Sequence, residues 1–217
     1  ISYICTVKQQ KQIAVITGDI VNSSILKEDQ RKIIQAKIER FVHEGILLKT
    51  RFYRGDSFQL AVEPFAALLL ALKFRMAVRR LNEGNDVRIS IGIGEVSAWN
   101  EDVLLSNGSA FERSGKNLDK LKKKGLRIII VTGNSELDNE LETYCYMADV
   151  LIKNLTSVQA NVIFHKLDDT PQEQIGEMLN VSQPAVSKTL KAANWKAIEK
   201  FLGRYRQIVE KNYGITE

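Results

Sequence analysis

The chain of 217 residues is 44% hydrophobic and 26% charged, which admits one large domain or two small ones and excludes wholesale disorder. Three prolines and thirteen glycines exclude a Pro/Gly-rich linker protein or a collagen. The 31 Lys+Arg against 26 Asp+Glu leave a net charge of +5, a weak pointer to polyanionic partners that no single segment carries.

The first strong element is residues 12–21, QIAVITGDIV, a β-branched run that reads as a buried strand. Residues 28–48 follow as a helix, with Ile34, Ile38, Phe41 and Val42 on one face. Two short strands, 49–53 and 57–62, flank Arg54-Gly55-Asp56 and predict a β-hairpin. Pro64 stands at a helix start, and residues 65–82 form an Ala- and Leu-rich helix. Residues 87–96, VRISIGIGEV, alternate as a strand; 109–123 are helical and 126–131 make a further short strand. From about Asp138 the strand signal ends, and 141–154, 157–167 and the remainder read as helices.

This order, β-α-β-β-α-β with an αβ extension, is the ferredoxin-like, split βαβ arrangement. The expected fold class is therefore α+β. Residues 1–138 are expected to form this ferredoxin-like domain, and residues 139–217 an all-α domain. The best apolar run, 65–72, stops at Lys73, well short of the ~18–20 residues of a membrane span. No basic segment followed by an apolar stretch opens the sequence, so a cytoplasmic protein with no membrane partner is expected. Cys5, Cys145, His43 and His165 lie far apart, without the close spacing of a zinc site, and the cysteines read as free thiols in a reducing compartment.

The clearest motif is residues 170–190, TPQEQIGEMLNVSQPAVSKTL. Thr170-Pro171-Gln172-Glu173 has the form of a capping box with proline at the first helical position. Gly176 is small where a second helix crosses, Asn180 suits a left-handed turn, and Val181 is expected to plug the core. Ser182 is an N-cap for a second helix in which Val186 and Leu190 face inward. That leaves Gln183, Pro184, Ser187, Lys188 and Lys191 outward. The string resembles the helix-turn-helix of bacterial transcriptional regulators. The resemblance implies duplex DNA as partner, with those five residues against the major groove. Most of the broad apolar face of 195–212 reads as core for the helical module and any excess suits a dimer seam; the resemblance implies a homodimer, the usual state of such proteins.

Two acidic strings precede it: Gly18-Asp19-Ile20-Val21-Asn22-Ser23-Ser24 at the end of the first strand and Tyr53-Arg54-Gly55-Asp56-Ser57-Phe58 in the hairpin. Two carboxylates at one sheet edge suit Mg²⁺, which takes one or two carboxylates plus nucleotide phosphate oxygens. Arg51, Arg54, Arg113 and Lys116 are candidate phosphate contacts. Gly92 and Gly94 open no helix and no GxxxxGK occurs, which excludes dinucleotide-fold and P-loop readings.

These strings resemble the metal-binding strings of class III nucleotide cyclases and related palm domains. The resemblance implies Asp19 and Asp56 as ligands of Mg²⁺ or Mn²⁺, with the Ile20 carbonyl as a third, and a nucleotide as ligand. Phe52 stands where cyclases carry a base-selecting polar residue, and Glu112 and Lys116 stand where they carry Asn and Arg. A degenerate, ligand-sensing domain is therefore expected rather than a catalytic one; the alternative is an active nucleotide cyclase or nucleotidyltransferase controlled by the helical part. In length and motif order the chain also resembles the bacterial SatD-like family, which implies the same two-part architecture.

Overall fold

The computed structural model describes residues 12–41, 43 and 45–214. It is a mixed α+β structure in which, among the described residues, five strands form one sheet and eight α-helices surround or extend it. In chain order they are β1 (Ile13–Ile20), α1 (Glu28–Glu39), β2 (Ile46–Tyr53), β3 (Ser57–Val62), α2 (Pro64–Arg79), β4 (Val87–Gly94), α3 (Ser109–Lys124) and β5 (Ile128–Val131). There follow α4 (Ser135–Lys153), α5 (Ser157–Lys166), α6 (Gln172–Leu179), α7 (Gln183–Ala192) and α8 (Trp195–Tyr213).

The strands lie in the order β2-β3-β1-β4-β5. The first four pair antiparallel, and β5 joins β4 in parallel after the α3 crossover. Alternation along β1 divides its side chains between two layers. Ala14, Ile16 and Ile20 enter the main core with α1 and α2, whereas Ile13 and Val15 enter a smaller core with Ala110 and Phe111 of α3. Gly92 makes the α3 layer possible: a Cβ there would lie 2.3 Å from the Ala110 carbonyl oxygen and 2.5 Å from the Ser114 nitrogen.

Helix α2 is apolar on nearly every side, and a helix of that kind has to be covered all round. The sheet and α1 cover part of it, and α5 and α8 cover the rest. The main core consequently runs without a break from Ala14 of β1 to Val209 of α8. The Tyr205 hydroxyl of α8 donates to the Pro64 carbonyl at 2.6 Å, tying the last helix to the start of α2. The expected division at 138/139 falls inside α4. That helix starts at Ser135 because the Asn134 side chain accepts hydrogen bonds from the Glu136 and Leu137 amides.

Three local expectations are corrected. The helix expected over 28–48 ends at Glu39, because pairing with β3 draws residues 46–48 into β2; Val42 lies outside the described residues. No side chain caps α6, which begins at Gln172 after Pro171, so the Thr170 capping box is not formed. Val181 is 47% exposed rather than a core plug. Its carbonyl does the packing instead, since a Cβ on Gly176 would lie 2.7 Å from the Val181 oxygen.

Candidate functional site

Asp19 is the penultimate residue of β1, opposite Ser57 on β3 and Arg88 on β4. The Asp56 carbonyl accepts a hydrogen bond from the Ile20 amide at 3.1 Å, so the end of β1 and the β2–β3 turn form one edge. The two sequence-predicted acidic residues are therefore neighbours along the backbone of that edge. Their environments differ. The Asp19 carboxylate is 2% exposed and held by two cations. Arg88 Nη1 lies 3.0 Å from Oδ1 and 3.2 Å from Oδ2, and Lys122 Nζ lies 2.8 Å from Oδ2. Asp56 is half-buried and accepts hydroxyl hydrogen bonds, from Ser23 at 2.5 Å and Ser57 at 3.4 Å.

Tyr53 closes the edge. Burial raises the pKa of its phenol, Arg54 and Lys122 pull it down, and Asp19 and Asp119 push it up, which puts all four charges around this ring. Phe52 is turned away to pack against Phe58, with ring centroids 5.5 Å apart.

Of the four basic candidates Arg54 alone belongs to this edge, and the other three lie elsewhere. Arg54 is on the hairpin turn, exposed, with φ of +51°. Arg51 lies 3.5 Å from Asp102. Lys116 pairs with Glu112 at 3.0 Å on the exposed side of α3. Arg113 donates to the Ile93 carbonyl at 2.5 Å, at the far end of β4 from Arg88. Since Gly94 pairs with Ile13 and Arg88 with Asp19, strand rise separates the two ends by roughly 20 Å. The residues that do meet Asp19, namely Arg88 and Lys122, were not among the sequence candidates. Arg88 was accessible to reasoning, as the cross-strand partner of Asp19 once β1 and β4 are paired; Lys122 was one of several lysines on a basic helix end.

The donor set for a divalent ion is small. Among the described residues no group of three or more His, Cys, Asp or Glu side chains converges. The sequence-predicted donors at this edge are Asp19 and Asp56, and Lys122 and Arg88 already occupy the Asp19 oxygens. Two carboxylates satisfy the protein's share of a Mg²⁺–nucleotide site, on the condition that the Lys122 ammonium moves off Oδ2.

A second buried carboxylate, Asp86, ties the sheet to the helices. It accepts from Arg75 at 3.0 and 2.8 Å, from Arg79 at 3.3 Å and from Arg127 at 2.8 Å. Arg75 Nη1 also lies 2.9 Å from Asp149 of α4, an ion pair without hydrogen-bond alignment. Arg79 donates to the Lys153 and Leu155 carbonyls at 3.0 and 2.7 Å. Burial by itself would raise the Asp86 pKa; the charges of Arg75 and Arg127 outweigh it and hold the group below the ordinary carboxylate value. Cys145, a free thiol, is buried beside this network, and burial pushes its pKa up. Cys5 lies outside the described residues.

In the helical region α6 and α7 are joined through Asn180, in the left-handed conformation with φ of 54°. Val186 and Leu190 are buried, while Gln183, Pro184, Ser187, Lys188 and Lys191 are all exposed. Gln183 Nε2 donates to Gln172 Oε1 at 2.8 Å, which fixes the amide of the first α7 residue against the first α6 residue.

No family model matches the chain, and no curated protein does. Among solved structures, one similar chain is the active GGEEF domain of a diguanylate cyclase from Vibrio cholerae. The match has 14% identity and a TM-score of 0.39, covering 57% of this chain and 84% of that one. Among the described residues no helix is long and apolar enough to cross a membrane.

Proposed function

We propose that the chain is a DNA-binding transcriptional regulator whose sheet portion senses a nucleotide together with a divalent cation. The observation that carries the DNA part is the outward row on α7. Gln183, Pro184, Ser187, Lys188 and Lys191 are exposed on a helix fixed by buried Val186 and Leu190. The left-handed Asn180 turn and the Gly176 contact with Val181 support reading α6–α7 as a helix-turn-helix. In such a motif the start of the second helix meets base edges in the major groove. With one N–H committed to Gln172, the Gln183 amide keeps its oxygen and its second N–H for a base. Loss of duplex binding in Lys188→Ala/Lys191→Ala, read by fluorescence anisotropy against salt, is the expected result. Binding that ignores both the substitutions and the salt removes this reading.

The nucleotide part rests on Asp19 and Asp56 sharing one edge beneath Lys122, Arg88 and Arg54. The flanking of β1 by antiparallel β3 and β4, with α1 and α2 on one face, supports reading residues 13–94 as a ferredoxin-like palm. Asp19 and Asp56 would hold Mg²⁺ or Mn²⁺, which neutralises phosphate charge when bound. Lys122 and Arg88 would supply the cations for the phosphates, and Lys122 is the side chain that would have to leave Asp19 for the carboxylate to hold the metal. Phe52, packed on Phe58, presents no polar edge to a base, and Glu112 and Lys116 neutralise each other away from this edge. These features favour sensing over turnover. The purified chain with ATP or GTP and Mn²⁺ is expected to bind nucleotide and give no cyclic product. Metal-dependent product that vanishes in Asp19→Ala and Asp56→Ala would instead establish the alternative, an active cyclase or nucleotidyltransferase. A homodimer presenting two α7 helices completes the reading, since a ligand then acts by favouring one spacing of the two.

A further inference from the structure

Beside α7 lies a groove of about 720 Å³ that the DNA-reading row does not account for. Its walls include Lys191 at the end of α7, Lys196 and Lys200 on α8, and Gln172, Ser187 and Asn194 between them. No acidic residue lines it. Lys196 and Lys200 are one helical turn apart and so project from the same side of α8. Both are exposed, and neither they nor Lys191 has a carboxylate partner among the described residues.

We infer that this groove is the seat of one phosphate backbone of duplex DNA, with Lys191, Lys196 and Lys200 as its charge contacts. The inference rests on the helix-turn-helix reading and extends it to α8, to which the sequence motif assigns no contact. Three observations favour it. The groove is continuous with the base-facing row, because Ser187 and Lys191 belong to both and Gln172 lines the groove while bonding Gln183. Its charge is of one sign. The cavity around the α6–α7 turn, which Gln183 also lines, carries Glu173 and Glu177, and these repel a backbone on that side. The duplex is thereby seated on one side only: bases under the start of α7, one strand's phosphates along the α7–α8 groove. Contacts of this kind set register and affinity and carry no sequence information.

The test uses the full chain and a fluorescently labelled mixed-sequence DNA duplex, with affinity measured over a salt series. Each neutralised phosphate contributes about 0.9 to the slope of log affinity against log salt. Lys196→Ala/Lys200→Ala is expected to lower that slope by about 2 and to weaken binding equally on unrelated sequences. Lys196→Arg/Lys200→Arg restores the slope, and Lys32→Ala, an exposed paired lysine on α1, leaves it unchanged. Gln183→Ala alters preference among sequences and keeps the slope. If the wild-type chain binds the duplex and the double alanine variant keeps its slope, the groove assignment is overturned while the helix-turn-helix reading stands. A wild-type chain that binds only single-stranded RNA, or no nucleic acid, overturns both.

Discussion

Asp19 and Asp86 are both buried aspartates ringed by basic side chains, and the exposure of those partners separates their roles. Around Asp86 two of the three arginine partners are as buried as the carboxylate itself, with Asp86 and Arg75 at 0% and Arg79 at 2% side-chain exposure, and Arg127 alone, at 24%, reaches water. They bridge α2, the start of β4, Arg127 and the turn after α4. Around Asp19 the partners reach water, Arg88 at 22% and Lys122 at 48%. A buried charge with buried partners has no alternative solvation and is fixed in place. A buried charge with solvent-reaching partners can exchange them for a ligand at modest cost. The first arrangement holds the sheet to the helical part; the second is the edge at which, on the proposed function, a cation and a phosphate would trade places with a lysine.

The largest expected effect breaks the first arrangement. Asp86→Ala leaves Arg75, Arg79 and Arg127 without their shared counter-ion, and loss of one partner of a buried pair costs roughly 3–5 kcal/mol. Urea denaturation followed by circular dichroism should show the midpoint falling with little change of slope. Acid gives the same contrast without mutation. The folded Asp86 pKa lies below its unfolded value, so its stabilisation is complete above about pH 4, where an unfolded aspartate is ionised. The contribution declines as pH falls toward the folded pKa. The wild-type chain should therefore lose stability below about pH 4 along a limb that is flatter in Asp86→Ala.

The sequence made the strands and helices legible where the pattern is local. β-branched runs marked β1, β4 and β5, the Arg-Gly-Asp turn marked the hairpin, and Asn180 with buried Val186 and Leu190 marked the α6–α7 turn. What it concealed was set by pairing at a distance. Residues 46–48 read as the end of a helix because the partner that makes them a strand, β3, arrives later in the chain. The Asp86 network was foreshadowed only by Arg75 and Arg79, two arginines one turn apart in a helix that is apolar all round apart from them and Lys73, a composition that demands buried counter-ions. At the candidate site the acidic residues were visible because each sits in a short distinctive string. The cations were not: Arg88 reaches Asp19 across 69 residues of sequence, and Lys122 does so from the last turn of α3.

The intermediate effect sharpens the second arrangement. Asp19→Asn frees Arg88 and Lys122 toward solvent rather than stranding them, so roughly 1 kcal/mol is lost, well below the Asp86 variant. Metal-dependent nucleotide binding, followed by calorimetry with MgATP or MgGTP, should disappear in the same variant. A loss of stability as large as that of Asp86→Ala would mean the edge is a structural ion pair and would remove it as a ligand site.

The smallest effect on stability is the most informative about the exchange. Lys122→Ala removes a half-exposed partner at 2.8 Å from Asp19 Oδ2 and leaves Arg88 in place. Pairs of that exposure contribute between about 0 and 1 kcal/mol, so the urea midpoint should hardly move. Binding should respond in opposite directions for the two parts of the ligand. Mn²⁺ alone binds more tightly, because the cation that competes for Oδ2 has gone. The nucleotide binds more weakly, because a phosphate has lost the ammonium it would draw away. Parallel titrations with Mn²⁺ and with Mn²⁺–nucleotide separate the two. If both affinities fall together, Lys122 orders the edge without trading places with a ligand, and the difference between Asp19 and Asp86 becomes one of degree.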